Sequence, residues 1–270
     1  SDTDFPPGAS QRPPRKRKPR LASVDGNAAL APDTAPDRPL PMGEDFLASH
    51  FVARHGEDWR YVKKWNKWFH YAENGWNEDE KELVDRLAVE LCRSAVYWDE
   101  AHQLTPDGKR KIAKKATAGS VRDLARTDRM ISASTEIWDA DPLLIGIHGG
   151  GAFDVRTGYM VPTAREQYLT KRTAIKPAIG TPTRWLSHLD RMMGGDVDMI
   201  HFLQLFAGYC FTGSVQEQCL CMLYGQGQTG KGTYALTLQD VAGTLAKSAA
   251  ASTFMASQNP AHLTELARLN

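Results

Sequence analysis

Apolar positions are spread unevenly along this chain. Residues 1–41 carry almost no large apolar side chains, and regular patterning begins near Gly43. Phe46, Leu47, Phe51 and Val52 recur at helical spacing, with Gly56 as a stop. Residues 59–62 and 67–71 are short β-like runs, followed by a turn at Glu73-Asn74-Gly75 before Trp76. Residues 77–98 predict a helix that Asn77 can cap, with Leu83, Val84, Leu87, Leu91 and Tyr97 on one face. Asp107-Gly108 breaks the chain, and residues 109–118 and 120–131 then predict two short helices. Residues 143–147 and 152–155 predict strands around a tight turn at Gly149-Gly150-Gly151. Residues 154–160 predict a strand–turn–strand with Thr157-Gly158 at its tip. Two helical stripes follow, both expected in a core. The first holds Trp185, Leu186, Leu189, Met192 and Met193 and ends at Gly194-Gly195. The second, over 198–211, holds Ile200, Leu203, Leu205, Phe206 and Tyr209.

The next segment brings chemistry. Residues 219–224 are apolar throughout, which suits a buried central strand of a parallel sheet. Gly225, Gln226, Gly227, Gln228, Thr229, Gly230, Lys231, Gly232 and Thr233 follow, with the G-x-x-x-x-G-K spacing of a phosphate-binding P-loop. Tyr234, Ala235, Leu236, Leu238 and Val241 continue as a helix. Glycines let backbone N–H groups converge on phosphate oxygens, and the helix aims its positive end at the same place. Lys231 is expected to bridge the β- and γ-phosphates of ATP. Gly232 lacks the hydroxyl that usually follows the lysine, so the Mg²⁺ ligand expected here is Thr233, one position later. No apolar strand ending in an acidic pair follows before Asn270, so this chain by itself is expected to bind nucleotide weakly and turn it over poorly.

Charge distribution says more than the net charge of +1. Residues 12–20 hold a dense basic run inside the Pro-rich segment, either a nucleic-acid-binding arm or a solvated part of a disordered linker. Lys109, Arg110, Lys111, Lys114, Lys115, Arg122, Arg126 and Arg129 fall on the pair of short helices. They form either a DNA-phosphate footprint or a solvated helix face. The rings from Trp59 to Trp76 either stack on single-stranded bases or build a small aromatic core. The four cysteines form no C-x-x-C pair and are expected as buried free thiols in a reducing cytoplasm. No apolar run reaches the roughly 18 residues needed to span a bilayer.

The order of motifs resembles the C-terminal half of phage and plasmid primases of the satellite-phage type, relatives of the poxvirus primase-helicases. The resemblance covers residues from about Phe46 to Asn270. It rests on Trp138-Asp139-Ala140-Asp141-Pro142-Leu143-Leu144, residues 149–158, Tyr168-Leu169-Thr170-Lys171, residues 185–189, Phe202-Leu203-Gln204, residues 208–213, Glu217-Gln218 and the loop 225–233. It implies a helicase of superfamily 3: ATP-driven unwinding of single-stranded or forked DNA by a homohexameric ring. It also implies a primase-polymerase domain upstream in the same chain, and catalytic partners of the loop beyond Asn270. Glycine then threonine after the loop lysine is an accepted variant in that family, whereas Thr229 stands where it usually has Asn.

The expected architecture is α/β. A basic Pro-rich linker over 1–41 precedes a mostly helical accessory domain over 42–180. The start of an AAA+-like parallel-sheet ATPase domain follows over 181–270. The expected function is the ATP-binding portion of a replicative DNA helicase, in the cytoplasm of a bacterial host and without a membrane partner. A P-loop kinase or metabolic NTPase, and a non-catalytic DNA-binding or loader module, are the alternatives.

Overall fold

The computed structural model describes residues 42–72, 75–98 and 104–250. The basic linker, residues Glu73 and Asn74 of the first expected turn, and the chain after 250 lie outside these.

Helix α1 (Glu44–His55) opens on Glu44 and Asp45 and carries Arg54 in its last turn, charges that complement its dipole. Its buried face is Leu47, Ala48, Phe51 and Val52. Gly56 follows as the C-cap, where an added Cβ would stand 2.6 Å from the Val52 carbonyl oxygen. Strands β1 (Trp59–Val62), β2 (Lys67–Ala72) and β3 (Gly75–Glu78) then form an antiparallel meander. Strand β4 (Ser132–Ala133) adds parallel to β1, giving the order β3-β2-β1-β4.

The helix expected from Asn77 starts later. Asn77 pairs with His70 inside β3, and α2 runs over Leu83–Ala95. Asp79 takes the capping role, its carboxylate accepting from the Leu83 and Val84 N–H groups at 2.9 Å each. The two basic helices also divide differently. Helix α3 covers Pro106–Ile112 and α4 covers Lys115–Ala125. The break falls at Ala113-Lys114, where the Thr117 hydroxyl donates to the Lys111 carbonyl at 2.8 Å, while Gly119 lies inside α4.

One face of the first sheet packs on α1, α2 and α4 through Trp59, Tyr61, Phe51, Val84, Leu91, Val121 and Ile131. The other face gathers Val62, Phe69, Trp76 and Trp138, with Tyr168 beside them. The aromatic stretch is therefore largely a core, with Trp76 wholly buried.

The second sheet is a meander of β5 (Leu144–Gly146), β6 (Ala152–Asp154) and β7 (Tyr159–Val161). Gly149, Gly150 and Gly151 all have positive φ and make its first turn. Helices α5 (Thr183–Met193), α6 (Val197–Cys210) and α7 (Lys231–Ala242) share a core of Leu189, Leu203 and Tyr234.

The apolar run 219–224 is not a buried strand. It pairs with no strand among the described residues, and Leu220, Met222 and Tyr224 are 74%, 76% and 90% exposed. A central strand is held by ladders on both sides, and the two described sheets lie elsewhere in the chain. Among the described residues, parallel pairing is confined to β1 with β4 and to a bridge between Gly146 and Arg172. The fold is mixed α/β, built on two small sheets. Cys92 is a buried thiol, as expected, but Cys210 and Cys219 are exposed. No described helix is long and apolar enough to cross a membrane.

Candidate functional site

The loop 225–230 turns through three residues of positive φ, Gly225 (+142°), Gln228 (+63°) and Gly230 (+93°), and delivers the chain into α7 at Lys231. Gly230 is fixed twice: by its φ, and by the His188 imidazole, whose Cε1 would lie 2.7 Å from an added Cβ. The Lys231 ammonium folds back over the loop. It donates to the Gln226 carbonyl at 2.6 Å and to the Thr229 hydroxyl at 2.8 Å, and Thr229 in turn donates to Gln226 at 3.1 Å. Its described hydrogen-bond partners are neutral oxygens. These are the kind of contacts that phosphate oxygens would replace with stronger, charge-assisted ones.

Gly225, Gln226, Gly227, Gln228, Thr229, Gly232 and Thr233 are exposed, and Gly230 and Lys231 are partly covered. The glycine spacing, the helix start and the free face of Lys231 fit a polyphosphate. Magnesium is less completely provided for. Thr233 offers a hydroxyl in the first turn of α7, but no group of three His, Cys, Asp or Glu side chains converges on a metal position among the described residues. Asp196, before the loop in sequence, caps α6 by accepting from the Met199 N–H at 3.0 Å.

The helix that follows the loop is anchored at both ends. Tyr234 is buried and its hydroxyl donates to the Leu203 carbonyl at 3.0 Å. Trp185 stacks on Tyr234 and on His188, with centroids 5.6 and 5.7 Å away. Burial, then the nearby Cys221 and Cys210, pushes the Tyr234 phenol pKa up. At its far end α7 is tied to the strand-like segment 172–174. The Ala174 N–H donates to Val241 at 3.0 Å, and Thr244 exchanges bonds with the Arg172 backbone. Neither His188 nor Arg172 stands out in the sequence. A lone histidine on an amphipathic helix and an arginine outside any basic run give no signal of their partners.

Several of the motif segments quoted for the resemblance meet in space. The Asp139 carboxylate accepts from the Thr170 N–H (2.8 Å), the Lys171 N–H (3.2 Å) and the Thr170 hydroxyl. Asp141 holds Arg156 through two contacts of 3.0 and 2.5 Å. The Gly213 N–H donates to the Pro142 carbonyl at 2.7 Å. None of these hydrogen bonds reaches the loop 225–233.

The eight basic candidates separate into two sets. Arg122 is bound to Asp85 at 2.5 Å and to Asp123 at 3.1 Å. Arg126 pairs with Asp123 and lies over the Tyr61 ring at 5.6 Å. Both serve the packing of α4. Arg110, Lys111, Lys114, Lys115 and Arg129 are exposed, Arg110 with a loose partner in Asp107, and Lys109 is partly covered.

A family model described as "D5 N terminal like" matches residues 48–194, more than half of the chain. The match takes in both sheets and α5 and stops before the loop at Gly225. No curated protein matches the chain.

Proposed function

This chain belongs to the D5 N-terminal-like family, whose members are replication proteins related to primase-helicases, and on that premise we propose that it carries the ATP-binding part of a replicative DNA helicase. The observation that carries the reading is Lys231 at the first position of α7, its ammonium over a loop with three positive-φ residues and P-loop spacing. Residues 225–230 would wrap the phosphates, Lys231 would neutralise the β- and γ-phosphates, and Thr233 would offer Mg²⁺ a hydroxyl. The metal would supply charge stabilisation at the transferring phosphate. The remaining parts of this reading are single-stranded or forked DNA as the partner, a homohexameric ring, a primase-polymerase domain in the same protein, and the cytoplasm of a bacterial host.

Ordering of the loop by its surroundings supports this role. His188 and Trp185 brace the Gly230 side, Tyr234 anchors the helix to α6, and Thr244 anchors its end to Arg172. A preformed phosphate cradle loses little entropy on binding. ATP turnover by the intact gene product, with and without single-stranded DNA and beside Lys231→Ala, tests the proposal. DNA-stimulated turnover that the variant abolishes is expected. Turnover indifferent to DNA would replace this reading with a P-loop kinase or metabolic NTPase, and no turnover would replace it with a loader.

A further inference from the structure

The turn between β1 and β2 displays a ring and two cations on a fixed backbone. Lys63, Lys64, Trp65 and Asn66 form it, closed by the Asn66 N–H donating to the Lys63 carbonyl at 3.1 Å. Asn66 takes φ +54°, which asparagine tolerates better than most residues. The Tyr61 hydroxyl donates to its side-chain oxygen at 2.7 Å. Trp65 leans on Phe69 and Trp138, with centroids 5.9 and 6.3 Å away, and remains 41% exposed. It is the one exposed tryptophan of the seven. Lys63 and Lys64 are exposed and make no ion pair among the described residues. Lys67, at the start of β2, is neutralised by Glu78 at 2.6 Å. Glu136 lies near Lys64 beyond ion-pair distance, and the Thr135 hydroxyl donates to it at 2.7 Å. Behind the turn, Arg126 of α4 covers the Tyr61 ring that holds Asn66.

We propose that Lys63, Lys64 and Trp65 form a contact site for single-stranded nucleic acid, with Trp65 stacking on an unpaired base and the two lysines meeting backbone phosphates. The inference rests on the reading that this protein works on DNA. The charge of the turn fits a polyanion, and an exposed indole face held by two neighbouring rings fits a base. A duplex hides its base faces, so the ring selects for a single strand. Of the aromatic stretch, the six other rings serve the interior and this one is left for a ligand.

The test is fluorescence anisotropy of labelled oligothymidine with the full chain, over a series of salt concentrations. Trp65→Ala is expected to weaken binding about tenfold, within the range for losing one stacked base, and Trp65→Phe to retain most of the affinity. Replacing Lys63 and Lys64 together by Ala is expected to flatten the plot of log K against log salt by about 1.4, two single-strand phosphate contacts. Duplex DNA should respond to the lysine pair and not to Trp65→Ala. Wild-type slope in the lysine variant, or no effect in a folded Trp65→Ala, would overturn the proposal, as would failure of the wild-type chain to bind oligothymidine. DNA-stimulated ATP turnover of the intact gene product is read in parallel. If it survives while this series shows no change, the turn proposal fails alone. If it is absent from the wild-type protein, the helicase reading fails instead.

Discussion

The His188 imidazole lies so close to Gly230 that a methyl group on that glycine would come within 2.7 Å of Cε1. Gly230 also sits at φ +93°. Gly230→Ala therefore meets two penalties, backbone strain of about 1–3 kcal/mol and a clash with the ring. Thermal denaturation is expected to show a lowered Tm, with ATP affinity reduced at least tenfold by calorimetry. Adding His188→Ala should recover the steric part only. Full recovery would show that backbone conformation at Gly230 is not limiting.

Tyr234→Phe isolates the anchor of α7. It removes one hydroxyl and leaves the buried Leu203 carbonyl without that donor. The expected cost is about 1 kcal/mol, a drop in Tm of about 2–4 °C for a chain of this size. Cavity effects are absent because the ring stays.

Asp139 is expected to be a larger contributor. Its carboxylate serves two backbone N–H groups and the Thr170 hydroxyl. Asp139→Ala leaves them unpaired together, at a cost of about 2–4 kcal/mol, seen as a lower urea midpoint. Asp139→Asn, which keeps an acceptor, should fall between the variant and the wild type. Equal stability of all three would remove the carboxylate from the account of how these motif segments hold together.

Acid should loosen the packing of α1 and the first sheet through two histidines. Burial lowers the pKa of both His55 and His70, in each case as the largest cause. The His70 Nδ1 is buried without a hydrogen-bond partner, and its ring packs 5.4 Å from Trp59. The unfolded chain takes up these protons near pH 6.5, and the folded chain resists them. Their contribution to stability is thus complete above about pH 6.5 and is lost as pH falls through the lowered folded values. Melting temperatures measured from pH 7.5 to 5 should fall, and His70→Phe should flatten the fall. An unchanged pH profile in that variant would exclude His70 as a contributor.

Local patterning made α1, β1, β2, α5, α6, α7 and the β6–β7 turn legible, because each is decided by spacing and punctuation within a short window. The start of α2 was not, since Asn77 is drawn into β3 by pairing with His70 and the cap passes to Asp79. The run 219–224 has a strand's composition, but a strand needs partners that composition does not supply. The basic residues of α3 and α4 show the same limit. Charge is visible in sequence, whereas Asp85, the partner that engages Arg122, lies 37 positions away. At the loop 225–233, the glycine turn and the helix starting at Lys231 were legible from spacing. His188, 42 positions before Gly230, became a neighbour only through the packing of α5 against α7.

The central claim is that Lys231 and the loop before it bind nucleotide phosphate. Isothermal titration of a non-hydrolysable ATP analogue with Mg²⁺ into this chain, beside Lys231→Ala, tests it most directly. Saturable binding by the wild type, reduced at least tenfold by Lys231→Ala without loss of folded structure, is the predicted result. Equal binding by both proteins, or none by the wild type at millimolar nucleotide, would contradict it.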